Sequence, residues 1–133
     1  MSEKEVVQVK DVMSQKFESM DGMQTIKEAI ILMREKSAGV VIVHKRDKHD
    51  AYGILLLSDI AKQVLAKDRS PDRVNIYEIM AKPVFSVSPE MDVRYCARLF
   101  ERFGLSVAPV IENEEILGLI GYRELVLRKC IDL

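Results

Sequence analysis

The sequence predicts an α+β fold: two βαββα repeats related by pseudo-twofold symmetry and packed sheet to sheet as one module. Three observations carry that expectation. At a step of 67 positions the chain repeats itself, with Met13 on Met80, Thr25-Ile26 on Asp92-Val93, Met33 on Phe100 and Val40–Val43 on Val107–Val110. Past the second apolar run the step becomes 65, and Gly53-Ile54-Leu55-Leu56-Leu57-Ser58-Asp59 lies over Gly118-Leu119-Ile120-Gly121-Tyr122-Arg123-Glu124. Internal repetition of this kind decides the architecture before any single element does. Finally, each copy is about 60 residues, too short to bury a good core alone, so the copies are expected to form one domain with ligand clefts between them.

Each copy opens with a short amphipathic turn, Val9 to Met13 and Asn75 to Met80. A brief extended segment follows, Phe17 to Met20 and Val84 to Val87, the second fenced by Pro83 and Pro89. The next element is a helix. Thr25 stands at its N-cap with Glu28 three residues on, the pattern of a capping box. Ile26, Ala29, Ile30 and Met33 then recur at helical spacing, as do Val93, Cys96, Ala97 and Phe100 after Asp92. Two β-rich runs come next: Val40–Val43 and Tyr52–Leu57, joined by His44–Asp50, then Val107–Ile111 and Ile116–Ile120, joined by Glu112–Glu115. Both read as hairpins without the Asn-Gly turn. A closing helix ends each copy, from Ser58/Asp59 to about Lys67 and from Tyr122/Arg123 to about Lys129. The polar stretch Lys67–Arg73 is the linker, which divides the chain into 1–70 and 71–133.

Composition narrows the function. The chain has 48% apolar and 31% charged residues with a formal net charge of −1, so nothing in it argues for nucleic acid or an anionic membrane. No apolar run approaches the ~20 residues of a spanning helix. Met1-Ser2-Glu3-Lys4-Glu5 lacks the basic-then-apolar form of a signal peptide. Cys96 and Cys130 are scattered and read as reduced thiols, not a disulfide framework or metal site. The expectation is a cytoplasmic globular protein.

Two signatures point to a family. The first is a Gly after the hairpin with an acidic residue six positions on, Gly53…Asp59 and Gly118…Glu124. The second is the segment Ser106-Val107-Ala108-Pro109-Val110, whose counterpart Gly39–Val43 lacks the Pro. With a helix and hairpin in register twice, the layout from about Val9 to Ile131 resembles a tandem pair of CBS (cystathionine-β-synthase-type) domains, a Bateman module.

Asp59 opens a helix directly after a strand, and two roles are open to it. Its carboxylate can cap free backbone N–H groups at the positive helix end. Alternatively it can turn outward and accept from two adjacent hydroxyls, the geometry of a ribose diol, while Ser58 and the N–H groups of the turn face a phosphate. The resemblance implies the second role: an adenosine-containing ligand, AMP, ADP, ATP or S-adenosylmethionine, between the halves. Carried over by position, Asp59, Ser58 and Leu56 face Met80, Ala81, Val84, Phe85 and the Leu105-Ser106-Val107 backbone. A second, degenerate site would use Glu124, Arg123 and Gly121. The family usually has Ser or Thr where this chain has Leu56 and Gly121, and Glu124 replaces Asp with one extra methylene.

Other constellations are set aside. His44, Asp47, His49 and Asp50 crowd a hairpin turn with no scaffold to orient imidazoles, so no metal site is expected. Both His lie there, which leaves Ser and Cys without a base. Neither GxxxxGK[ST] nor GxGxxG occurs. The expectation is a non-enzymatic regulatory sensor without a catalytic cofactor. It would act through an unidentified effector protein or a homodimer, with Leu65, Val126 and Leu127 as interface candidates. The alternative is a ligand-free dimerisation or scaffold domain with degenerate nucleotide sites.

Overall fold

The computed structural model describes residues 6–82 and 85–133 of the chain. Two compact units emerge, one of residues 17–84 and one of residues 1–16 with 85–133. The first contains β1 (Glu18–Met20), α2 (Ile26–Lys36), β2 (Val40–Val43), β3 (Gly53–Leu56), α3 (Leu57–Ile60) and α4 (Ile76–Ile79), while the short helix α1 (Val9–Val12) belongs to the other.

In the first unit β1 pairs parallel with β2, and β2 antiparallel with β3. The run Val41-Ile42-Val43 is buried throughout, as a central strand of β-branched residues should be. Helix α2 starts where Thr25 Oγ1 accepts from the Glu28 N–H at 3.1 Å, and ends on Ser37 in the left-handed region (φ 52°). Its Ile26, Ala29 and Met33 are buried with Leu55, Val64 and Ile76 in one core. Helix α3 continues as a wider, π-type turn over Ala61–Leu65, where the Ala66 N–H reaches the Ala61 carbonyl at 2.8 Å. That insertion buries Val64 and turns Leu65 outward.

The second unit carries α5 (Val93–Phe103), β4 (Val107–Glu112), β5 (Glu115–Gly121) and α6 (Tyr122–Leu127). Strands β4 and β5 pair antiparallel, with a shift of register between Val110 and Ile111. Asn113 and Glu114 close the hairpin at φ 52° and 66°, so this two-residue turn is of the left-handed kind that favours Asn-Gly. Phe100 is fully buried beside Val93, Cys96, Val110 and Ile120, and meets the Tyr122 ring edge-on at 5.6 Å. In place of the expected strand over Val84 to Val87, Val87 makes a single parallel bridge to Val110. Val84 lies outside the described residues.

The opening turns do not stay with the copy they precede. Ile76 packs in the first unit, where its N–H donates to the Gln24 carbonyl and the Tyr77 N–H to the Gly22 carbonyl, at 2.8 and 2.9 Å. Val9 packs in the second, where the Val9 and Lys10 N–H groups donate to the Met91 and Pro89 carbonyls at 2.8 and 2.9 Å. Every one of these bonds recurs at the repeat step. The compact units group residues by packing and leave the repeat boundaries of 1–70 and 71–133 untouched: each opening turn crosses to a copy it does not precede, where Ile76 and Val9 are completely buried.

Candidate functional site

Four short helices begin alike, and this sets the geometry of the acidic positions. In each, the third helical residue is a carboxylate that accepts from the backbone N–H three residues earlier. Asp11 takes Gln8 at 2.9 Å, Asp59 takes Leu56 at 2.8 Å, Glu78 takes Asn75 at 2.7 Å and Glu124 takes Gly121 at 2.8 Å. The bond fixes the turn into each helix, which for α3 and α6 directly follows a strand, and places negative charge at the positive helix end.

At the first strand-to-helix turn, Asp59 is half-buried and Ser58 exposed. The Asp59 carboxylate uses Oδ2 for the Leu56 N–H; among the described residues Oδ1 has no recorded donor. The Leu57 N–H donates to the Gly39 carbonyl at 3.1 Å, which ties the turn to the loop before β2. A groove of about 360 Å³ beside it is lined by Ile30, Met33, Arg34, Ala38, Gly39 and Leu57. Gly39 and Ala38 were missed by sequence reasoning, although their counterparts Ser106 and Leu105 were named from the other copy.

Met80 and Ala81 join the same compact unit as Asp59. Ala81 exchanges both backbone hydrogen bonds with Ile54, at 2.9 and 3.1 Å, and so extends the sheet beyond β3. Met80 lies over Gly53: a Cβ there would be 2.6 Å from the Met80 sulfur. Both residues thus attach at the Gly53 end of β3, while Asp59 follows its other end.

The second unit assembles Leu105, Ser106, Val107, Gly121, Arg123 and Glu124. Val107 pairs with Gly121 at the end of the hairpin, and a Cβ on Gly121 would be 3.2 Å from both the Ser106 carbonyl and Glu124 Oε1. The Leu105 carbonyl, expected to face a ligand, accepts from the Tyr122 hydroxyl at 2.7 Å. Tyr122 was not foreseen because its first-copy counterpart is Leu57, which has no hydroxyl. Arg123 is exposed, and exposed Phe85 packs on Phe103 at 5.6 Å. The extra methylene of Glu124 leaves its capping bond the same length as that of Asp59.

The His44–Asp50 turn has its own order. Asp47 accepts from the His49 N–H at 2.8 Å, and Asp50 from the Arg46 N–H at 2.8 Å. Lys82 holds the Asp50 carboxyl well below the usual carboxylate range, with the Arg46 N–H and side chain adding to the effect. Among the described residues no three His, Cys, Asp or Glu side chains cluster as metal ligands would. Nor is any of their helices long and apolar enough to cross a membrane.

Comparison with known proteins places these features. An uncharacterized protein, MK0525, of Methanopyrus kandleri is 29% identical over 105 residues, 77% of this chain; the chain spans 53% of that relative. The L-aspartate semialdehyde sulfurtransferase of Methanosarcina acetivorans is 32% identical over 84% of this chain, which spans only 22% of that protein. A hexameric CBS-CP12 protein from bloom-forming cyanobacteria is 39% identical with a TM-score of 0.88, over 93% of this chain and 71% of that one. The CBS domain pair of protein MJ0100, solved with 5′-methylthioadenosine and S-adenosyl-L-methionine, has a TM-score of 0.79 at 22% identity, over 92% of this chain and 95% of its own, and so shares the fold. The description "CBS domain" matches residues 9–66 and again residues 76–129. The chain belongs to the CBS-domain family and carries two copies of the domain.

Proposed function

We propose that the protein is a non-enzymatic sensor that binds an adenosine-containing ligand at the Asp59 turn and passes the binding state to a partner. One observation carries the reading: Asp59 is pinned through Oδ2, with Oδ1 left to accept from a ribose hydroxyl. A carboxylate already oriented by its own backbone loses little freedom on binding. The Ser58 hydroxyl and the Ser58 and Asp59 N–H groups supply donors for a phosphate or carboxylate of the ligand, the Leu57 N–H being taken by Gly39. Leu56 brings no hydroxyl, which favours ligands with few phosphates, such as AMP, ADP or S-adenosylmethionine, over ATP. The complex of the MJ0100 pair with adenosyl compounds supports the ligand class. Gly39 and Leu57 of the same unit line the groove beside this turn and are the proposed contacts. Glu124, Arg123 and Gly121 form the proposed degenerate site.

Output requires two states with different ligand affinity, since a ligand bound equally by both shifts nothing. It would pass through a homodimer or an effector protein in the cytoplasm. Leu65, Val126 and Leu127, exposed at 78%, 53% and 67%, favour a surface between chains.

Those same exposed side chains, with Asp59 committed as a cap, favour a second reading: a ligand-free dimerisation domain. A thermal-shift panel of AMP, ADP, ATP, S-adenosylmethionine and NAD separates the two. A ligand at 100 times its dissociation constant stabilises by ~2.7 kcal/mol. The sensor reading requires a shift with one adenosyl ligand and its loss in Asp59→Asn, which keeps the cap acceptor. No shift with any, or an equal shift in the variant, rejects it.

A further inference from the structure

The first unit has a second concavity at the other end of its sheet, where β1 and β2 run out. It measures about 760 Å³, and its lining combines apolar Met23, Val43, Tyr77 and Met80 with Lys45, Arg46 and Lys82, beside His44 and Asp21. Ligand cavities of ~300–1,000 Å³ pair apolar walls with a few polar groups in this way. Met23 and Tyr77 expose 71% and 51% of their surface beside these cations, an apolar wall without a cover.

The lining cations are unevenly paired. Lys82 and the Arg46 Nε both contact Asp50, Arg46 at 3.1 Å, and Asp21 Oδ1 is taken by the Met23 N–H at 2.8 Å. Asp50 thus engages two of the three lining cations, Asp47 also acts on Arg46, and among the described residues Lys45 is the lining cation without an ion pair. The Arg46 side chain remains 83% exposed, and the Lys45 ammonium lies 4.9 Å from the Tyr52 ring centroid.

Duplication supplies an independent argument. Residues that the fold requires recur at the repeat step, as Ile76 and Val9 do. At the same step Tyr77 falls on Lys10 and Met23 on Glu90, and the shorter second hairpin turn, Glu112–Glu115, holds no cation where the first holds Lys45 and Arg46. The second unit builds the same corner without the aromatic ring, the Met23 thioether or any hairpin cation, so the fold does not need that set.

The geometry points to a binding site for a small aromatic molecule carrying one anionic group, at the hairpin end of the first unit and distinct from the Asp59 turn. The ring would lie against Met23, Met80 and Tyr77, where thioethers and aromatic faces attract it. The anion would meet Lys45 and Arg46, with Lys82 behind them.

Phenyl phosphate, which has no ribose, is the probe. It is titrated into full-length protein labelled at the methionine methyls. The expected result is a saturable shift of the Met23 and Met80 methyls, retained in Asp59→Asn. Affinity should be at least tenfold weaker in the double variant Lys45→Gln, Arg46→Gln. Those two exposed or half-exposed positions leave the fold intact, which the remaining methyl resonances verify. Inorganic phosphate should leave both methyls unmoved. The site is refuted by the absence of a saturable shift, by equal affinity in the double variant, by equal effects of inorganic phosphate, or by loss of binding in Asp59→Asn.

Discussion

Gly53 and Gly118 occupy the same place in the two copies, yet an added methyl should cost very different amounts. At Gly118 the Cβ would lie 2.4 Å from the Ser14 carbonyl oxygen and 3.2 Å from the Met13 sulfur. The oxygen belongs to backbone that exchanges two 2.8 Å hydrogen bonds with Leu119, so it cannot retreat without breaking them. Overpacking costs ~1–3 kcal/mol, and each lost bond adds ~1 kcal/mol. Restricting the unfolded chain returns ~0.4–1 kcal/mol. Gly118→Ala should therefore destabilise by roughly 3 kcal/mol, lowering Tm by about 12 °C for a chain of this size. At Gly53 the nearest atom is the Met80 sulfur at 2.6 Å, the end of a flexible side chain. Gly53→Ala should cost only about 1 kcal/mol, since the thioether can rotate away at the low end of the overpacking range. Urea unfolding measures both, and hydrogen exchange at the Leu119 amide reports the broken pair directly. If Gly53→Ala proves as costly as Gly118→Ala, or Leu119 keeps its protection in Gly118→Ala, the packing argument fails.

Asp50 should shape the acid limb of stability. Its folded carboxyl is depressed, chiefly by Lys82, so its contribution is complete above the unfolded value of about 4 and is lost as pH falls. The urea midpoint of Asp50→Asn should accordingly fall less than wild type between about pH 5 and pH 2; parallel profiles would contradict this. The thiols should separate: exposed Cys130 should react with a disulfide reagent well before buried Cys96, whose thiol burial pushes up to about 11. One fast and one slow phase are expected, and two equal rates would refute the assignment. Because the Cys96 value is raised, its contribution is intact below pH ~9 and lost as pH rises toward the folded value. Leu65→Glu with Leu127→Glu should shift sedimentation from dimer toward monomer without altering the circular dichroism spectrum. A monomeric wild type, or an unchanged dimer in the variant, removes these residues from the interface.

Much of this architecture was legible in the sequence because duplicated constraints leave duplicated residues. Thr25 and Asp92 cap α2 and α5 as expected, each accepting from a backbone N–H of the first turn, at 3.1 and 2.7 Å. The hairpins fall within a residue or two of their expected bounds. The partnership of the opening turns was not legible. Val9-Val12 and Ile76-Ile79 share apolar first and last residues, and each fits the same kind of groove beside a helix start, so the pattern alone does not say which copy receives which turn. The π-type turn at Ala61–Leu65 was hidden because a helix pattern does not register one extra residue per turn. Of the extended segment expected over Val84 to Val87, the described part pairs only at Val87. Val87 is held by two backbone bonds to β4, at 3.0 Å each, and exposed Phe85 and Ser86 add no further pairing among the described residues.

The acidic positions show why sequence and structure must be weighed together. A family signature marked Asp59 and Glu124, yet the same reach-back bond occurs at Asp11 and Glu78, which no signature marked. Capping therefore accounts for an acid at the third helical position in all four helices, and function must be sought in what capping does not use. One oxygen suffices for the cap. A cap also tolerates Glu as well as Asp, since both reach 2.8 Å. A diol does not, because the longer side chain moves the second oxygen. If Asp59 binds ribose, Asp59→Glu should keep the stability of the turn and lose the ligand, whereas a purely structural Asp59 has no ligand to lose. That separation of stability from binding is the feature no capping argument can imitate.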